Sequence, residues 1–285
     1  MRAVRLMSAI APITALLGAA AHAEEGEIDT DHLFAFSQGT DIGPPGTTEF
    51  ETGATGRFGK RDGSYTAYEQ EFEFGYIPVD NLHLFAGVSA NRFDISNVPD
   101  LENRKRTSFG ELSFHARYRL IDRGRGPFGL ALQLEGGWAA ADELSGEKAS
   151  SHGGAISVLA DKVIVEDLLV SVVNLSFRRE STRVRDETEK GSSLEISGAV
   201  LARLAPNFFL GAGAQHVWQY EGLGLDRFAG QATFLGPNLC WKPGRVWIIA
   251  GWSPQIAGHA RGTSGSLDLV NFERNIATLS IGFGF

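Results

Sequence analysis

Cysteine is almost absent from this sequence, which has a single one, Cys240, among 285 residues. One cysteine cannot form an internal disulfide, so a disulfide framework is excluded. Beyond the first 23 residues, no apolar run approaches the ~18 residues that a membrane-spanning helix needs. Basic residues are also in deficit, with 26 Lys and Arg against 34 Asp and Glu. This acidic balance makes the chain a poor candidate for binding nucleic acid or anionic lipid head groups.

The first 23 residues carry two arginines and then an apolar stretch that ends in Ala21, His22 and Ala23. A charged start, a short apolar middle and an A-x-A end are typical of a secretory signal peptide. We therefore predict cleavage between Ala23 and Glu24, followed by export of the mature chain. A membrane-anchor helix is the alternative, and it is disfavoured because the apolar run is short and contains Pro12.

Glycine, by contrast, is abundant, with 35 residues scattered through segments that alternate between apolar and polar residues. Leu112 and Phe114, for example, alternate with Ser113 and His115. About twelve such segments of roughly ten residues are typical of a membrane β-barrel. The facing of strands within 152–181 and 229–241 is left open, because both of their faces are similar. The predicted strands are 47–59, 64–76, 82–93, 107–120, 128–140, 152–163, 168–181, 193–204, 208–221, 229–241, 246–255 and 274–285.

The connectors between these segments alternate in length. Short ones such as IPVDN, APN and KPGR lie between longer ones such as ADELSGEKASS and STRVRDETEKGSS. Outer-membrane barrels have an even strand count, short periplasmic turns and longer outer loops. We therefore predict that residues 47–285 form an all-β, transmembrane, antiparallel up-and-down barrel of about twelve strands. A soluble β-sandwich with its apolar faces inward is the alternative, and aromatic residues near the strand ends disfavour it.

The chain ends on the segment NIATLSIGFGF, which places Leu279, Ile281, Phe283 and Phe285 on one apolar face. This strand resembles the C-terminal signal of bacterial outer-membrane β-barrels. The resemblance implies recognition by the barrel-assembly machinery and a location in the bacterial outer membrane, in contact with its lipid. The segment HLFAFSQGTDIGPPGTTEFE (32–51) is more weakly similar to uncharacterised outer-membrane transporter families, such as those related to the MetA pathway of phenol degradation. No established function follows from that similarity.

Residues 24–46 precede the first predicted strand and are acidic around an apolar centre. Pro44, Pro45 and Gly46 separate this segment from the barrel. Two interpretations stay open at this stage. The segment is either a periplasmic tail or a partial plug of the lumen with its carboxylates on Arg117 and Arg119.

Strand parity places charged side chains inside the predicted barrel, with an acidic wall on strands one and two and a basic wall on strand four. If the first hairpin turns near Asp62, Glu51 pairs with Glu73 and Phe50 with Phe74. The two walls define a candidate constriction of the lumen. Its residues are Glu51, Glu69, Glu71, Glu73, His115, Arg117 and Arg119.

The six histidines of the mature chain form no H-x-x-x-H pair and have no cysteine partner. We therefore predict no metal site and no cofactor. Ser151 and His152 are adjacent on a strand, so they face opposite ways and cannot act as nucleophile and base. His216 faces lipid by parity, without an obvious serine partner in sequence. We assign no catalytic residue.

These observations favour a channel or transporter for small solutes. A structural or surface-interaction barrel with a closed lumen is the alternative, and an outer-membrane lipid-modifying enzyme is the third hypothesis. Fold alone does not decide among them.

Overall fold

The computed structural model describes residues 28–285, so the predicted signal peptide and its cleavage site at Ala23 and Glu24 lie outside the described residues. The described chain forms one closed antiparallel barrel of twelve strands, which confirms the predicted fold class. Among residues 28–285, no helix is long and apolar enough to cross a membrane. The strands are β1 (Thr48–Phe58), β2 (Ser64–Val79), β3 (Leu82–Ser96), β4 (Arg104–Ile121), β5 (Gly129–Ala141), β6 (Lys148–Val165), β7 (Leu169–Val184), β8 (Glu187–Ala205), β9 (Phe208–Glu221), β10 (Arg227–Trp241), β11 (Val246–Ala260) and β12 (Asn275–Gly284).

The barrel closes where β1 pairs with β12, with Phe50 opposite Phe283. The Thr48 N–H donates to the Phe285 carbonyl, and the Phe285 N–H donates to the Thr48 carbonyl. Every backbone group in lipid needs an internal partner, and closure provides one along both edges of the sheet. Thr48 and Phe285 lie at the end of the barrel that carries the short turns, which the sequence predicts to be the periplasmic end.

The register of the first hairpin is confirmed, because Glu51 pairs with Glu73 and Phe50 pairs with Phe74. A slip by one residue would move every glutamate of β2 to the lipid face. The apolar face of β2 is indeed outward, where Phe72 and Phe74 are exposed. The register therefore fixes the acidic wall inside the barrel.

The outer ends of several strands are longer than predicted, and the predicted connector STRVRDETEKGSS is wrong. Most of it is strand, and the chain turns at 185–186, where Arg185 has a left-handed φ of 53°. Thr182 pairs with Glu189 in this region. Both faces of the ladder are polar there, so the strands continue although the apolar alternation has ended. The other outer connectors are 59–63, 97–103, 142–147, 222–226 and 261–274.

The periplasmic turns are short, as predicted, and most use residues suited to left-handed backbone. Asn81, Asp167, Asn207 and Gly244 each have a positive φ in the turns that follow β2, β6, β8 and β10. Asparagine, aspartate and glycine adopt this conformation at the lowest steric cost. The 122–128 connector is longer, and its Arg123 points into the barrel, where it is buried.

The structure also gives the facing of the strands whose patterning was ambiguous. On β7, Val173 and Leu175 are exposed to lipid, whereas Val170 and Val172 are buried inside. On β10, Leu235 and Trp241 face outward, whereas Phe234 and Cys240 are buried inside. Both faces of these strands are apolar because part of the lumen is itself lined by apolar residues.

Candidate functional site

Residues 28–46, here called the N-terminal segment, lie inside the periplasmic end of the barrel. Leu33 and Phe34 pack against inward-facing side chains of β7 to β11. Gly251 on β11 allows this approach, because a Cβ there would lie 2.6 Å from the Ala35 Cβ. The buried apolar cluster comprises Ile28, Leu33, Phe34, Val170, Val172, Ala199, Leu201, Phe209, Cys240, Trp247 and Ile249.

Arg123, from the turn after β4, anchors both ends of the N-terminal segment. Its guanidinium donates to the Ile28 carbonyl at 2.5 Å, to Asp41 at 2.6 Å and to Asp161 at 3.2 Å. Thr30 also donates its hydroxyl to Asp161, at 2.6 Å. One buried arginine thus holds two carboxylates and a backbone carbonyl.

Two carboxylates contact the guanidinium of this anchor, and a third, that of Asp29, acts on Asp41. Burial and the Asp29 carboxylate raise the pKa of Asp41 to about 6, against the lowering effect of Arg123. Burial opposes the charge on Arg123, but Asp41 and Asp161 outweigh it and raise the pKa of Arg123. The guanidinium is therefore always charged, whereas Asp41 titrates in a mildly acidic range.

The two predicted lumen arginines have different surroundings. Arg117 is buried and donates to Asp31 at 3.0 Å, to Gln38 at 2.9 Å and to Gln133 at 3.0 Å. Arg119 donates instead to Asn81, which lies in the turn after β2, at 3.0 Å. Arg117 is thus an attachment point for the N-terminal segment, whereas Arg119 belongs to the rim.

Histidines and carboxylates meet where the N-terminal segment reaches β1 and β3. The His32 Nε2 lies 2.8 Å from the Glu49 Oε2, and the His32 Nδ1 lies 3.3 Å from the Glu51 Oε2. Trp247 stacks on the His32 ring with 3.9 Å between ring centroids. Burial disfavours a charged ring, but the carboxylates outweigh it and raise the pKa of His32 to about 10.

The middle of the barrel holds a polar cavity of about 330 Å³, here called the acidic cavity. A second cavity of about 150 Å³ adjoins it and shares three of its glutamates, Glu51, Glu71 and Glu73. Five of the predicted constriction residues line the larger cavity, namely Glu51, Glu71, Glu73, His115 and Arg117. Glu69 lines the smaller one. Arg119 lines neither, because it is held at the rim.

The carboxylates that line the acidic cavity have different polar neighbours among the described residues. Arg178 on β7 donates to Glu135 on β5 at 2.8 Å. The His115 Nδ1 lies 3.7 Å from Glu73. Ser113 donates to Glu71 at 3.4 Å, past the small Gly87 of β3. Sequence analysis missed Glu135, Arg178 and Glu195, although each lies on the inward parity of its strand.

The outer connectors narrow the opposite end of the lumen. Lys60 is buried and lies 3.2 Å from Glu273, which is in the connector between β11 and β12. In the same region Gln255 on β11 donates to the Asp268 carbonyl at 3.0 Å. Tyr65 on β2 donates to the Leu144 carbonyl at 2.9 Å. The lumen is therefore widest in the middle.

The residues considered for catalysis occupy separate environments. Ser151 is buried inside and bonds to Glu180, whereas His152 is exposed on the other face. His216 is outward, and its Nδ1 lies 2.7 Å from the Thr233 hydroxyl. Trp218 packs on the His216 ring with 4.1 Å between centroids. These contacts are those of structural histidines and serines.

Comparisons with known proteins show which of them share this sequence pattern or this fold. A family described as "Family of unknown function (DUF6662)" matches residues 26–285. The chain belongs to this family. No curated protein matches it.

Two solved structures share the fold of this DUF6662 protein. The COG4313 outer membrane channel from Pseudomonas putida F1 aligns with a TM-score of 0.57 and 12% identity, over 86% of this chain and 98% of that chain. The beta domain of the Bordetella autotransporter BrkA aligns with a TM-score of 0.53 and 12% identity, over 84% of this chain and 100% of that chain. The fold is therefore that of a bacterial outer-membrane β-barrel.

Proposed function

We propose that this barrel is an outer-membrane channel for small solutes, with a preference for cations, and that the N-terminal segment is its partial plug. The acidic cavity is the observation that carries the proposal. A polar void of about 330 Å³ in the middle of a transmembrane barrel has room for water and a small solute. Packing for stability alone would favour filling it.

The charge of the cavity sets the expected selectivity. Glu71 and Glu73 lie together on β2, beside Glu51 on β1, which faces the His32 ring. Arg117 is already bonded to Asp31, and Arg178 to Glu135. The remaining negative charge lies in a narrow lumen with low-dielectric walls, which concentrates the local potential and raises the local concentration of cations.

Similarity of fold to an outer-membrane channel from Pseudomonas putida F1 supports the proposal at the level of architecture. The proposed role is not enzymatic, because Ser151 and His152 face opposite ways and His216 contacts a threonine. A closed structural barrel is the second candidate. The observation that favours it is the filling of the periplasmic end by residues 28–46.

Conductance in planar bilayers tests the proposal. We expect the parent to show discrete conductance steps. Across a salt gradient, its reversal potential should have the sign expected for a pore that prefers cations. The double variant Glu71→Gln, Glu73→Gln should conduct with a reversal potential closer to zero. Glu189→Gln is the matched control, since Glu189 is exposed at the outer end of β8. A folded parent without conductance, or a selectivity that ignores both glutamates, would refute the proposal.

A further inference from the structure

Four side chains with metal-ligating atoms converge at the periplasmic end of the lumen, and the proposed conduction does not use them. Asp31 and His32 come from the N-terminal segment, Glu49 from β1 and His83 from β3. One ligand atom each of Asp31, His32 and Glu49 lies within 4.8 Å of the other two. The His83 Nε2 lies 3.2 Å from the same Glu49 oxygen. The group is enclosed, since His83 is fully buried and Asp31 and Glu49 nearly so.

His83 is the most informative member of this group. Its ring is 0% exposed, and within residues 28–285 neither of its nitrogens has a hydrogen-bond partner. The 3.2 Å approach to Glu49 lacks the alignment of a hydrogen bond. Phe85 covers the ring with 3.8 Å between centroids. A buried imidazole nitrogen without a partner costs free energy, and an ion bound to Nε2 would remove the share of that cost that Nε2 carries.

The distances between the candidate ligand atoms suit a single ion. The Glu49 Oε2 is 2.8 Å from the His32 Nε2 and 3.2 Å from the His83 Nε2. The Asp31 Oδ2 lies 3.6 Å from the His32 Nε2. Bonds of about 2.0–2.2 Å from a tetrahedral ion hold neighbouring ligand atoms about 3.3–3.6 Å apart. The three distances lie near that spacing, but the Asp31 Oδ2 lies 4.0 Å from the other nitrogen of His83, Nδ1. Asp31 or His83 must therefore rotate for all four to bind one ion.

Other groups fix the ligands from outside, as the surroundings of metal sites do. Arg117 donates to the Asp31 Oδ1, which leaves the Oδ2 facing His32. The Glu51 Oε2 lies 3.3 Å from the His32 Nδ1, on the side of the ring away from Glu49. Trp247 donates to the same Glu51 oxygen at 2.5 Å and stacks on the His32 ring.

We propose that Asp31, His32, Glu49 and His83 bind a divalent transition-metal ion, for which Zn²⁺ is the best fit, and that this ion holds the N-terminal segment in the barrel. Two imidazoles favour zinc over magnesium or calcium, which prefer oxygen ligands throughout. Two ligands come from the segment and two from strands, so the ion links them. The inference goes beyond the proposed channel function and does not rest on conduction.

Zinc binding to the mature protein, refolded in detergent after chelator treatment, tests the site. We expect one Zn²⁺ per chain by calorimetry and by metal analysis after dialysis. Loss of a residue that only holds a metal ligand in place weakens a metal site about 10–100-fold. Loss of a ligand itself, in His83→Ala or Glu49→Gln, should therefore weaken zinc binding by more than about 100-fold. His115→Ala is the control, because His115 also faces the lumen but lies beside Glu73. The zinc affinity of His115→Ala should stay within about threefold of the parent, a smaller change than the loss of a residue that holds a ligand in place would cause.

Amide hydrogen exchange tests the link between segment and barrel. Zinc should slow exchange in residues 28–46 of the parent and of His115→Ala, but not of His83→Ala. Heat-modifiable migration on a detergent gel, measured on every variant, confirms that the barrels compared are folded. A folded parent that binds no zinc, or binding unchanged in both His83→Ala and Glu49→Gln, would overturn the site. Zinc binding that leaves exchange in residues 28–46 unchanged would overturn the role in holding the segment.

Discussion

The periplasmic half of the lumen and its middle are built from opposite chemistries within one barrel. In the periplasmic half, Leu33 and Phe34 pack on Val170 and Leu201 in a dry apolar cluster. In the middle, glutamates surround the acidic cavity. Along β7 and β8 the inward-facing residues change from apolar, such as Val170 and Leu201, to charged, such as Arg178 and Glu195, and the N-terminal segment covers the apolar ones.

The N-terminal segment thus determines which part of the lumen wall is shielded from water. Apolar side chains facing a water-filled lumen would be unfavourable, but here the segment covers them. These glutamates would be unfavourable among the apolar side chains, but they line a polar cavity with room for water. The apolar residues Leu33 and Phe34 of the segment therefore lie against the apolar part of the lumen wall.

Deletion of residues 28–46 should have the largest effect, because it removes the segment that fills the periplasmic half of the lumen. Water would enter the periplasmic half, and conductance in planar bilayers should rise several-fold because the narrowest obstruction is gone. Heat-modifiable migration on a detergent gel would show that the barrel still closes. Equal conductance of the parent and a folded deletion variant would mean that the segment does not obstruct the pore.

Arg123→Gln should release the segment without removing it. The change leaves the buried carboxylates of Asp41 and Asp161 without their cation, and breaking a buried ion pair costs ~3–5 kcal/mol. We expect much faster amide exchange in residues 28–46 and more frequent open events in the bilayer. Arg119→Gln is the matched control, because Arg119 bonds to Asn81 at the rim. Equal exchange in the two variants would contradict the anchoring role of Arg123.

The sequence predicted the barrel well because period-two alternation survives wherever one face meets lipid. The strand number, the closure and the Glu51–Glu73 register all follow from that alternation and from turn chemistry. Alternation fails beyond the lipid, where both faces are polar, and the outer ends of β6 to β8 were therefore placed too short. Assembly signalling by Phe285 stays a prediction.

The site was harder to predict because its groups come together only in three dimensions. Asp31 and Glu49 are far apart in sequence from His83, and no spacing motif links them. The ambiguous facing of β7 was nonetheless a usable signal. Apolar residues on both faces, such as Val170 inside and Val173 outside, indicate that a lumen wall is covered by another part of the chain.

Leu33→Ala should weaken the docking of the N-terminal segment by a smaller amount than Arg123→Gln. Leu33 is fully buried in the apolar cluster, and a buried leucine truncated to alanine costs ~2–5 kcal/mol. Exchange in residues 28–46 should therefore accelerate. Phe36→Ala is the control on the other side of the boundary, since the larger Phe36 is only half-buried at the acidic cavity. If Phe36→Ala accelerated exchange more than Leu33→Ala, side-chain size rather than dry packing would govern docking.

The smallest expected effect is the pH dependence of segment docking that the Asp41 carboxyl causes. Its pKa is raised to about 6 in the docked segment from an ordinary value of 3.8, first by burial and then by Asp29. The docked state therefore binds more protons than the released state between these two values. Asp41 thus contributes a docking stability that is complete below about pH 4, declines up to about pH 6 and then stays constant. His32 contributes little to the change in this window, because its ring is protonated when docked and, with an ordinary pKa of 6.5, mostly protonated when released.

Asp41→Asn should remove this contribution, since an amide does not titrate and its oxygen can still accept from the Thr30 N–H. We expect exchange in residues 28–46, corrected for the intrinsic pH dependence, to accelerate less between pH 4 and pH 6 in the variant than in the parent. Asp62→Asn serves as the control, because Asp62 pairs with Arg61 in an exposed outer turn. Each variant lacks one carboxylate of the parent. Asp41→Asn loses the one that contacts Arg123, and Asp62→Asn loses one in an exposed turn. A parent and an Asp41→Asn variant with the same pH profile would show that Asp41 stays ionised when docked, so that Arg123 outweighs burial and the neighbouring carboxylates.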